Sequence, residues 1–422
     1  MKRPKVKIWL IKAGEPLLTD SGSPRLLRTG LLFRSLSDEH EVTWISECFH
    51  HQEKKFRFRK DTIQSWNPHK KIVLLKTLGY RGNIGFGRIL DDLHFALKIK
   101  RYWRSQPKPH VVVCAYPLVI TSFVVSRLCR QDKVPVAIDV RDLWPDIFVL
   151  ATKGIKRVFG RMLSLFYNPI AKATFQQADA LLSITPEILA WAQQKGKRSN
   201  RPEDKSFALS SQADEIAPED AIDALSFWDN LGVLNNDLNF TYVGLLNNKV
   251  DLETLIYAFK KIEGTSNTKL IIAGEGDDEG RLRKLAADSK NIVFSGWINK
   301  PQIYELLRRS SVAIAPYKNR IDFQKSIPNK VIEYLCFGLP VMASVDGEIK
   351  RLIESYSCGR TYTESDSESV INVIHEYEHS EVLITEQSSR CLKIFGEMFE
   401  PKKIFRDFED HLVKLAQSVP GK

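Results

Sequence analysis

Short apolar runs alternate with amphipathic stretches along most of the chain, and their spacing predicts its elements. In the first half, KVKIWLI (5–11), EVTWIS (41–46), PHVVVCAY (109–116), VPVAIDV (134–140) and ALLSIT (180–185) read as strands. Their near-continuous hydrophobicity is that of parallel strands covered on both faces. After the first of them, SPRLLRTGLLFRSLSD (23–38) places Leu26, Leu27, Gly30, Leu31 and Leu36 on one side of a helix. The second half has the same rhythm. LNFTYVG (238–244), TKLIIAGEG (268–276), NIVFSGW (291–297) and VAIAPY (312–317) read as strands. Between them, LETLIYAFKKI (252–262), EGRLRKLAADS (279–289) and PQIYELLRRS (301–310) read as helices, and GLPVMAS (338–344) and GEIKRLIESY (347–356) continue the series. Strand and helix in alternation predict parallel βα units, and so an α/β protein.

The rhythm fades between about 195 and 238, where polar KGKRSNRPEDKSF is followed by QADEIAPEDAIDALSFWDNLGV, which is acidic with a helix-like middle. The pattern therefore predicts two doubly wound domains, 1–215 and 238–398, joined by a linker at 216–237. A last amphipathic stretch, PKKIFRDFEDHLVKLAQS within 399–422, is expected as a helix packing back on the N-terminal domain. No short fixed-period repeat is visible, which argues against a solenoid.

Composition narrows this picture without changing it. At 422 residues the chain exceeds one ordinary core, and 43% hydrophobic with 27% charged residues describes a soluble globular protein. The nearest approach to a membrane span, VVVCAYPLVITSFVV (111–125), is split by Pro117 and reads better as a strand, a loop and a packed helix. MKRPKVKIWLIKAGEP has too short an apolar stretch for a secretion signal, so a cytoplasmic location is expected. Cysteines 48, 114, 129, 336, 358 and 391 lie far apart with no C-x-x-C pair, the pattern of buried reduced thiols. A net charge of +11 calls for an acidic partner, which can be a phosphate-bearing substrate, an anionic membrane surface or nucleic acid.

The candidate chemistry lies at strand ends. In open α/β sheets ligands bind beyond the carboxyl ends of the strands, often on helix N-termini whose free N–H groups favour anions. Three turns of the second half qualify: Gly244, the run Gly274, Glu275 and Gly276, and the loop Ser326, Ile327, Pro328, Asn329 and Lys330. Any one of them is also an ordinary βα turn; three at corresponding positions carry more weight. Lys249, Lys325 and Lys330 could neutralise a diphosphate there, or be solvated loop lysines. Within KSIPNKVIEYLCFGLPV (325–341), Pro328 suits a helix start, and Asn329 and Glu333 stand four apart on one face. Glu333 can complement the helix dipole or accept hydrogen bonds from sugar hydroxyls.

Taken in order, FTYVGLLNNKVDLETLIYAFKKI, KLIIAGEGDDEGRLRKLA, NIVFSGWINKPQIYELLRRSSVAIAPY and SIPNKVIEYLCFGLPVMAS resemble the donor domain of the retaining, nucleotide-sugar-dependent glycosyltransferases of family 4. The resemblance covers roughly 238–375. AGEPLLTDSGSPRLLRTGLLFRSLSDEHEVTWIS, HQEKKFR and IDVRDLWPD resemble, more loosely, the bacterial surface-polysaccharide members (capsule, O-antigen and exopolysaccharide).

The resemblance implies a GT-B fold, two facing Rossmann-like domains with a cleft between them. The first domain would bind the acceptor and the second the donor. It assigns Glu333 to the ribose hydroxyls, Gly244 and Gly274 to Gly276 to the diphosphate and nucleotide, and Trp297 and Ile298 to the border of the base. Lys330 matches a basic position of that loop. Two positions depart from the family. Lys325 stands eight positions upstream of Glu333, where a first glutamate is expected. Asn247 and Asn248 replace the usual Gly-Arg, leaving Lys249 as a substitute.

On the acceptor side, Gly22 and Ser23 precede the first helix, and Arg25 and Arg28 either face an acceptor phosphate or form that helix's polar face. Arg141 and Asp142 of RDLWPD follow a strand end and should reach the cleft. Stabilisation of the leaving diphosphate is expected to be the main catalytic effect, with Arg141, Asp142, Lys249 and Lys330 as the catalytic candidates. His51 and His94 are alternative acid–base groups, or core and surface histidines. No cluster has metal-ligand spacing, so no metal and no cofactor is expected.

HHQEKKFRFRK (50–60) and GIKRVFGRMLSLFYNPIAK (154–172) are basic with apolar residues between, consistent with contact to an anionic membrane or with a solvated loop and a packed helix. No recognised nucleic-acid module surrounds them, so no nucleic-acid partner is expected. These readings converge on a glycosyltransferase peripheral to the inner face of the plasma membrane. It would act on a nucleotide diphosphate sugar and a lipid-linked saccharide. Its rivals are a nucleotide-sugar epimerase of the same fold and a non-catalytic nucleotide-sugar-binding subunit.

Overall fold

A computed structural model describes residues 4–20, 25–82, 85–150, 154–212, 216–264 and 267–418. The chain divides into two units, Met1–Ala208 with Lys402–Lys422 and Leu209–Pro401. Each is an α/β unit built on a twisted sheet that is wholly or almost wholly parallel.

The first unit carries an eight-stranded sheet in the order Lys205–Ser206, Ala180–Ser183, Val136–Val140, Val111–Tyr116, Lys7–Ile11, Glu41–Glu47, Lys70–Leu75 and Thr62–Ser65. Every pairing is parallel except the last, where Thr62–Ser65 runs antiparallel at the sheet edge. The chain starts at the central Lys7–Ile11, winds one way to Glu41–Glu47 and Lys70–Leu75, then returns to wind the other way from Val111–Tyr116. The order therefore reverses between Lys7–Ile11 and Val111–Tyr116, which is where open α/β sheets leave a crevice at the strands' carboxyl ends.

Apolar side chains of this sheet, among them Ile8, Leu10, Trp44 and Leu74, pack with Phe33 into one buried cluster. That cluster also takes in Phe405, Phe408 and Leu412 of the last helix, Pro401–Ser418. Phe408 stacks on Phe207 at 4.5 Å, and the buried Glu409 accepts from Ser37 N–H and pairs with His40. Burying each such large side chain contributes about 1.5–3 kcal/mol, so the final helix is part of this unit's core.

The strand Lys70–Leu75 and the long helix Phe86–Ser105 fall in a stretch where the hydrophobic pattern predicts nothing. The first helix is also shorter than its sequence pattern, covering Arg28–Ser35.

The second unit repeats the plan with six parallel strands ordered Ile292–Gly296, Thr268–Ala273, Leu238–Val243, Val312–Ala315, Val341–Ala343 and Gly359–Thr361. Its order reverses between Leu238–Val243 and Val312–Ala315. Local sequence sets the helix starts: before Lys300–Arg309, Asn299 accepts from the Gln302 N–H and the Gln302 side chain accepts from Asn299 N–H, a reciprocal cap.

Residues 216–237, expected as a linker with a helix-like middle, do contain the helix Pro218–Asn230, but it packs within the second unit rather than joining two domains. Trp228 is fully buried there and donates to the Gln302 carbonyl at 2.8 Å. The acidic residues that suggested a solvated linker are this helix's outer face: Glu219, Asp220 and Asp223 are exposed or partly exposed.

Candidate active site

In the second unit, apolar strands deliver backbone to the reversal point, and glycines let the turns touch. The Gly244 N–H donates to the Ala273 carbonyl at 2.8 Å, and the Leu246 N–H to the Glu275 carbonyl at 2.9 Å. Gly274 adopts φ +132°, and a Cβ there would stand 1.9 Å from the Gly244 oxygen. A Cβ on Gly276 would stand 2.1 Å from the Leu246 oxygen. Neither position can carry a side chain without moving backbone. Glu275, between them, is exposed.

The helix Asn329–Cys336 runs up to the same turns. Pro328 is its N-cap, no side chain caps the helix start, and the Val331 N–H donates to the Pro328 carbonyl at 3.0 Å. Val331, Ile332, Tyr334 and Leu335 bury the helix, and the Val243 N–H donates to the Tyr334 hydroxyl at 3.2 Å, tying helix to strand. Lys330 donates to the Val243 carbonyl, with its ammonium 5.5 Å from the Tyr242 ring centre. A Cβ on Gly244 would come 2.3 Å from that ammonium, so Lys330 lies directly on the glycine turn. Burial pushes the Tyr242 phenol up, and its hydroxyl donates to the Leu245 carbonyl at 3.0 Å. Glu333 is 6% exposed on this helix.

Structure thus brings Gly244, Gly274, Gly276, Lys330 and the helix bearing Glu333 to one strand edge. The other expected donor residues sit around them. Ser326 donates to the Asp322 carbonyl at 2.6 Å, and Lys325 caps the short helix Ile321–Gln324 through its N–H. The Lys249 carbonyl accepts from the Lys318 N–H at 3.1 Å, which holds the Asn247–Lys249 loop against the strand beyond the reversal point. Trp297 is 68% exposed at the end of its strand, and Ile298 beside it is buried.

In the first unit the reversal point is a cavity of about 160 Å³. Lys12, Glu47, Leu118 and Trp144 reach it from segments at or just beyond strand carboxyl ends, and Arg88, Asp91 and Tyr167 from two long helices. Its electrostatics come from side chains. Burial pushes the Glu47 carboxyl well above the usual carboxylate range, and the Asp91 carboxyl beside it adds to this. Burial lowers the Lys12 ammonium, against the pull of Glu15. Burial, then Lys54 and Arg88, lowers His51 to about 4, leaving a neutral ring whose Nδ1 is hydrogen-bonded to the Tyr80 hydroxyl at 2.5 Å. Asp92 accepts from the Ile120 and Thr121 N–H groups at the start of the helix Val119–Gln131. Arg88 lies 4.7 Å over the Trp144 ring.

The pattern of apolar runs does not reveal this cavity; of its polar lining only His51 is singled out, together with RDLWPD, which contains Trp144. The available signal was a charged residue closing an apolar strand: Glu47 ends EVTWISE, and Lys12 directly follows KIWLI.

The expected acceptor residues are placed differently. Gly22 and Ser23 lie outside the described residues. Arg25 precedes the helix rather than sharing a face with Arg28, because the helix begins at Arg28. Arg28 is buried. It pairs with Asp139 at 3.0 and 3.2 Å, donates to the Phe207 and Ala208 carbonyls and covers the Phe408 ring. It is a structural cation, not a phosphate ligand at the surface. Arg141 joins the same network, donating to Asp139 at 2.8 Å, to Thr29 at 2.8 Å and to Glu15. Asp142 accepts from the Leu143 N–H at 2.7 Å. Burial alone would raise Asp139, but the guanidiniums of Arg28 and Arg141 outweigh it and hold the carboxyl at about 2.

Residues 229–393 match the family of glycosyl transferases group 1. An uncharacterized glycosyltransferase of Methanocaldococcus jannaschii is 27% identical over 133 residues, 31% of this chain and 33% of that protein. The chain therefore spans about a third of the length of that curated relative. Among solved structures, sucrose-phosphate synthase from Thermosynechococcus elongatus aligns with a TM-score of 0.72 at 14% identity, covering 98% of this chain and all of that one. Anabaena HepE in complex with UDP aligns with a TM-score of 0.66 at 12% identity, covering 97% of this chain and 100% of that one. WaaG, a glycosyltransferase involved in lipopolysaccharide biosynthesis, gives 0.63 at 14% identity over 96% of this chain and 99% of that one. The two Rossmann-like units are those of the GT-B glycosyltransferase fold.

Proposed function

We propose that this chain is a retaining glycosyltransferase. It would move a hexosyl or N-acetylhexosaminyl group from a nucleotide diphosphate sugar to a lipid-linked saccharide, in the synthesis of a bacterial surface polysaccharide. The observation that carries the reading is the convergence of Gly244, Gly274, Lys330 and the Glu333 helix at the second unit's reversal point. Glycine turns, an uncapped helix start and a lysine form a cradle for a diphosphate. A buried carboxylate beside it is an acceptor for paired ribose hydroxyls. The match of residues 229–393 to the group 1 family and the UDP complex of HepE support the same assignment.

In this reading the N–H groups and Lys330, with Lys249 and Lys325 nearby, stabilise the charge that develops on the leaving diphosphate. They supply the positive charge that a metal ion would otherwise bring. The departing phosphate takes the proton of the attacking acceptor hydroxyl. The first unit's cavity suits the acceptor. Glu47, neutral His51 and Tyr80 offer both donors and acceptors to sugar hydroxyls, and Trp144 and Tyr167 offer ring faces. Arg141, tied to Glu15 and Asp139, would position the RDLWPD loop and Asp142. Among the described residues no helix is long and apolar enough to cross a membrane, so we place the enzyme peripherally on the cytoplasmic face, where it meets its lipid-borne acceptor.

A thermal-unfolding screen against nucleotide sugars tests the donor assignment. A ligand at about 100 times its Kd stabilises the native state by about 2.7 kcal/mol. One donor should raise Tm in the native chain and fail to do so in Glu333→Ala. If no nucleotide or nucleotide sugar shifts Tm, the assignment is wrong.

A further inference from the structure

Two helices of the first unit have a wet side and an apolar side that the acceptor cavity does not use. In Phe86–Ser105, Arg88, Asp91, Asp92 and Phe95 line the cavity, whereas Phe86, Leu90, Leu93 and Leu97 are exposed. Those four fall at intervals of four, three and four residues, which is one continuous stripe of the helix. In Gly154–Gln177, Tyr167 lines the cavity, whereas Val158, Met162, Leu165 and Phe166 are exposed along another stripe. Phe86 and Phe159 meet edge to face at 6.3 Å, so the two stripes adjoin. Gly160 lets the second helix lie close beneath: a Cβ there would stand 2.1 Å from the Phe148 carbonyl oxygen. Scattered exposed apolar residues are normal, but two adjoining stripes of this size are not.

Charge identifies the occupant. Gly154–Gln177 contains four basic residues and no acidic one, and Arg157 and Arg161 are exposed beside the apolar stripe. In Phe86–Ser105 both acids, Asp91 and Asp92, turn to the cavity, while Lys100, Arg101 and Arg104 are exposed. An apolar stripe flanked mainly by cations, with Asp61 paired to Lys98 as the nearby acid, matches the chemistry of a bilayer surface rich in anionic headgroups.

We propose that these two helices together form the surface by which the first unit seats on an anionic bilayer, with the cavity on their other side receiving the head of a membrane-borne acceptor. The seating stands on the helices alone. The acceptor in the cavity rests on the glycosyltransferase reading above.

The test uses the full chain and vesicles of phosphatidylcholine with and without phosphatidylglycerol. Co-sedimentation should be at least about 10-fold tighter on the anionic vesicles and weaken several-fold on raising the salt from about 0.1 to 0.5 M. Met162→Ser with Leu165→Ser, both at exposed positions, should cut binding by about 10-fold or more while circular dichroism stays native. A polarity-sensitive dye on Leu93→Cys, and separately on Leu165→Cys, should shift to the blue on the same vesicles. Equal binding to neutral and anionic vesicles, unchanged binding of the double variant, or a shift at only one dye position overturns the two-helix surface. So does a concentration-dependent dimer of the wild type that the double variant abolishes, since the stripes would then cover a second copy. Donor-induced stabilisation, measured on the same preparations, separates the two ideas. Donor stabilisation without vesicle binding removes only the surface. Vesicle binding without donor stabilisation removes only the glycosyltransferase.

Discussion

Both units place their most chemically equipped edge where the strand order reverses, yet the two edges are made of opposite materials. The second unit's edge is backbone: Gly244, Gly274 and Gly276 let two turns touch, and the start of Asn329–Cys336, which no side chain caps, brings Lys330 onto the same turn. The first unit's edge is side chain: Lys12, Glu47, His51, Tyr80, Arg88 and Asp91 around a cavity, with Arg141, paired to Asp139, within electrostatic reach of Lys12. Backbone donors do not titrate and cannot be exchanged by substitution, so they suit a group common to every substrate, such as a diphosphate. Titratable side chains are exchangeable one at a time, so they suit the part of a reaction that varies. The difference predicts where this protein breaks, and how.

The largest break should come from the first unit's charges. Asp139→Asn leaves Arg28 buried with its main counterion neutralised, and removing one partner of a buried pair costs about 3–5 kcal/mol. Urea unfolding followed by circular dichroism should show that loss. Acid should reproduce part of it in the wild type. The Asp139 carboxyl sits at about 2 when folded, below its ordinary value of 3.8. Its contribution, roughly 2 kcal/mol, is therefore complete above about pH 4 and disappears as pH falls towards 2. The variant should lack that acid limb. An unchanged limb would assign the acid sensitivity to other carboxylates.

The second unit should break through geometry, with no pH dependence. Gly274→Ala combines φ +132° with a Cβ 1.9 Å from the Gly244 oxygen, and strain plus overpacking costs about 3 kcal/mol. Gly280→Ala is the internal control. It lies in the helix Glu279–Leu285 with open space around its Cβ, and should be neutral or stabilise by up to about 1 kcal/mol. If both alanines behave alike, close backbone approach is not what the glycine turns are for.

The same contrast explains what the sequence disclosed. Backbone sites require glycine, proline and helix starts at fixed offsets, so GEG after TKLIIA and SIPNK before VIEYLC are legible as motifs in the sequence alone. The alternation of apolar runs likewise disclosed nine of the sheet strands, because a buried parallel strand must be apolar throughout. The first unit's cavity left no motif. Lys12, Glu47, His51 and Arg88 come from four separate segments and converge only once the sheet is wound. Arg28 shows the opposite failure. Its spacing from Arg25 suggested a paired anion site, but the helix starts at Arg28 and buries it against Asp139, a partner 111 positions away. Residues 218–230 were legible as helical, but their acidic surface suggested a linker, whereas Trp228 is buried within the second unit.

A smaller effect is expected where the second unit does rely on a side chain. Glu333→Gln keeps the volume and removes the charge. A hydrogen bond to a charged acceptor is worth about 1.5–3 kcal/mol, so donor affinity should fall about 10- to 100-fold by calorimetry with Tm of the free protein nearly unchanged. A large loss of Tm in the free protein instead would make Glu333 a structural residue of its helix and would leave the backbone turns as the whole donor site.

The smallest effect belongs to His51, and its sign is specific. Burial, then Lys54 and Arg88, lowers the folded ring to about 4 from an ordinary 6.5. As pH falls through about 6.5 the unfolded chain takes up a proton that the folded chain refuses, so stability declines from there down to about 4 and is flat above. The ring is only half buried, and solvent screening limits the decline to the order of 1 kcal/mol. His51→Gln cannot protonate and should lose this slope while keeping an acceptor within reach of the Tyr80 hydroxyl. Wild type and variant compared by urea unfolding at pH 8 and pH 5 should therefore differ in their pH dependence more than in their stability at pH 8. A difference of equal size at both values would mean that His51 contributes by packing alone. The first unit's edge would then be less dependent on protonation than its cluster of ionisable groups implies, and closer in kind to the second.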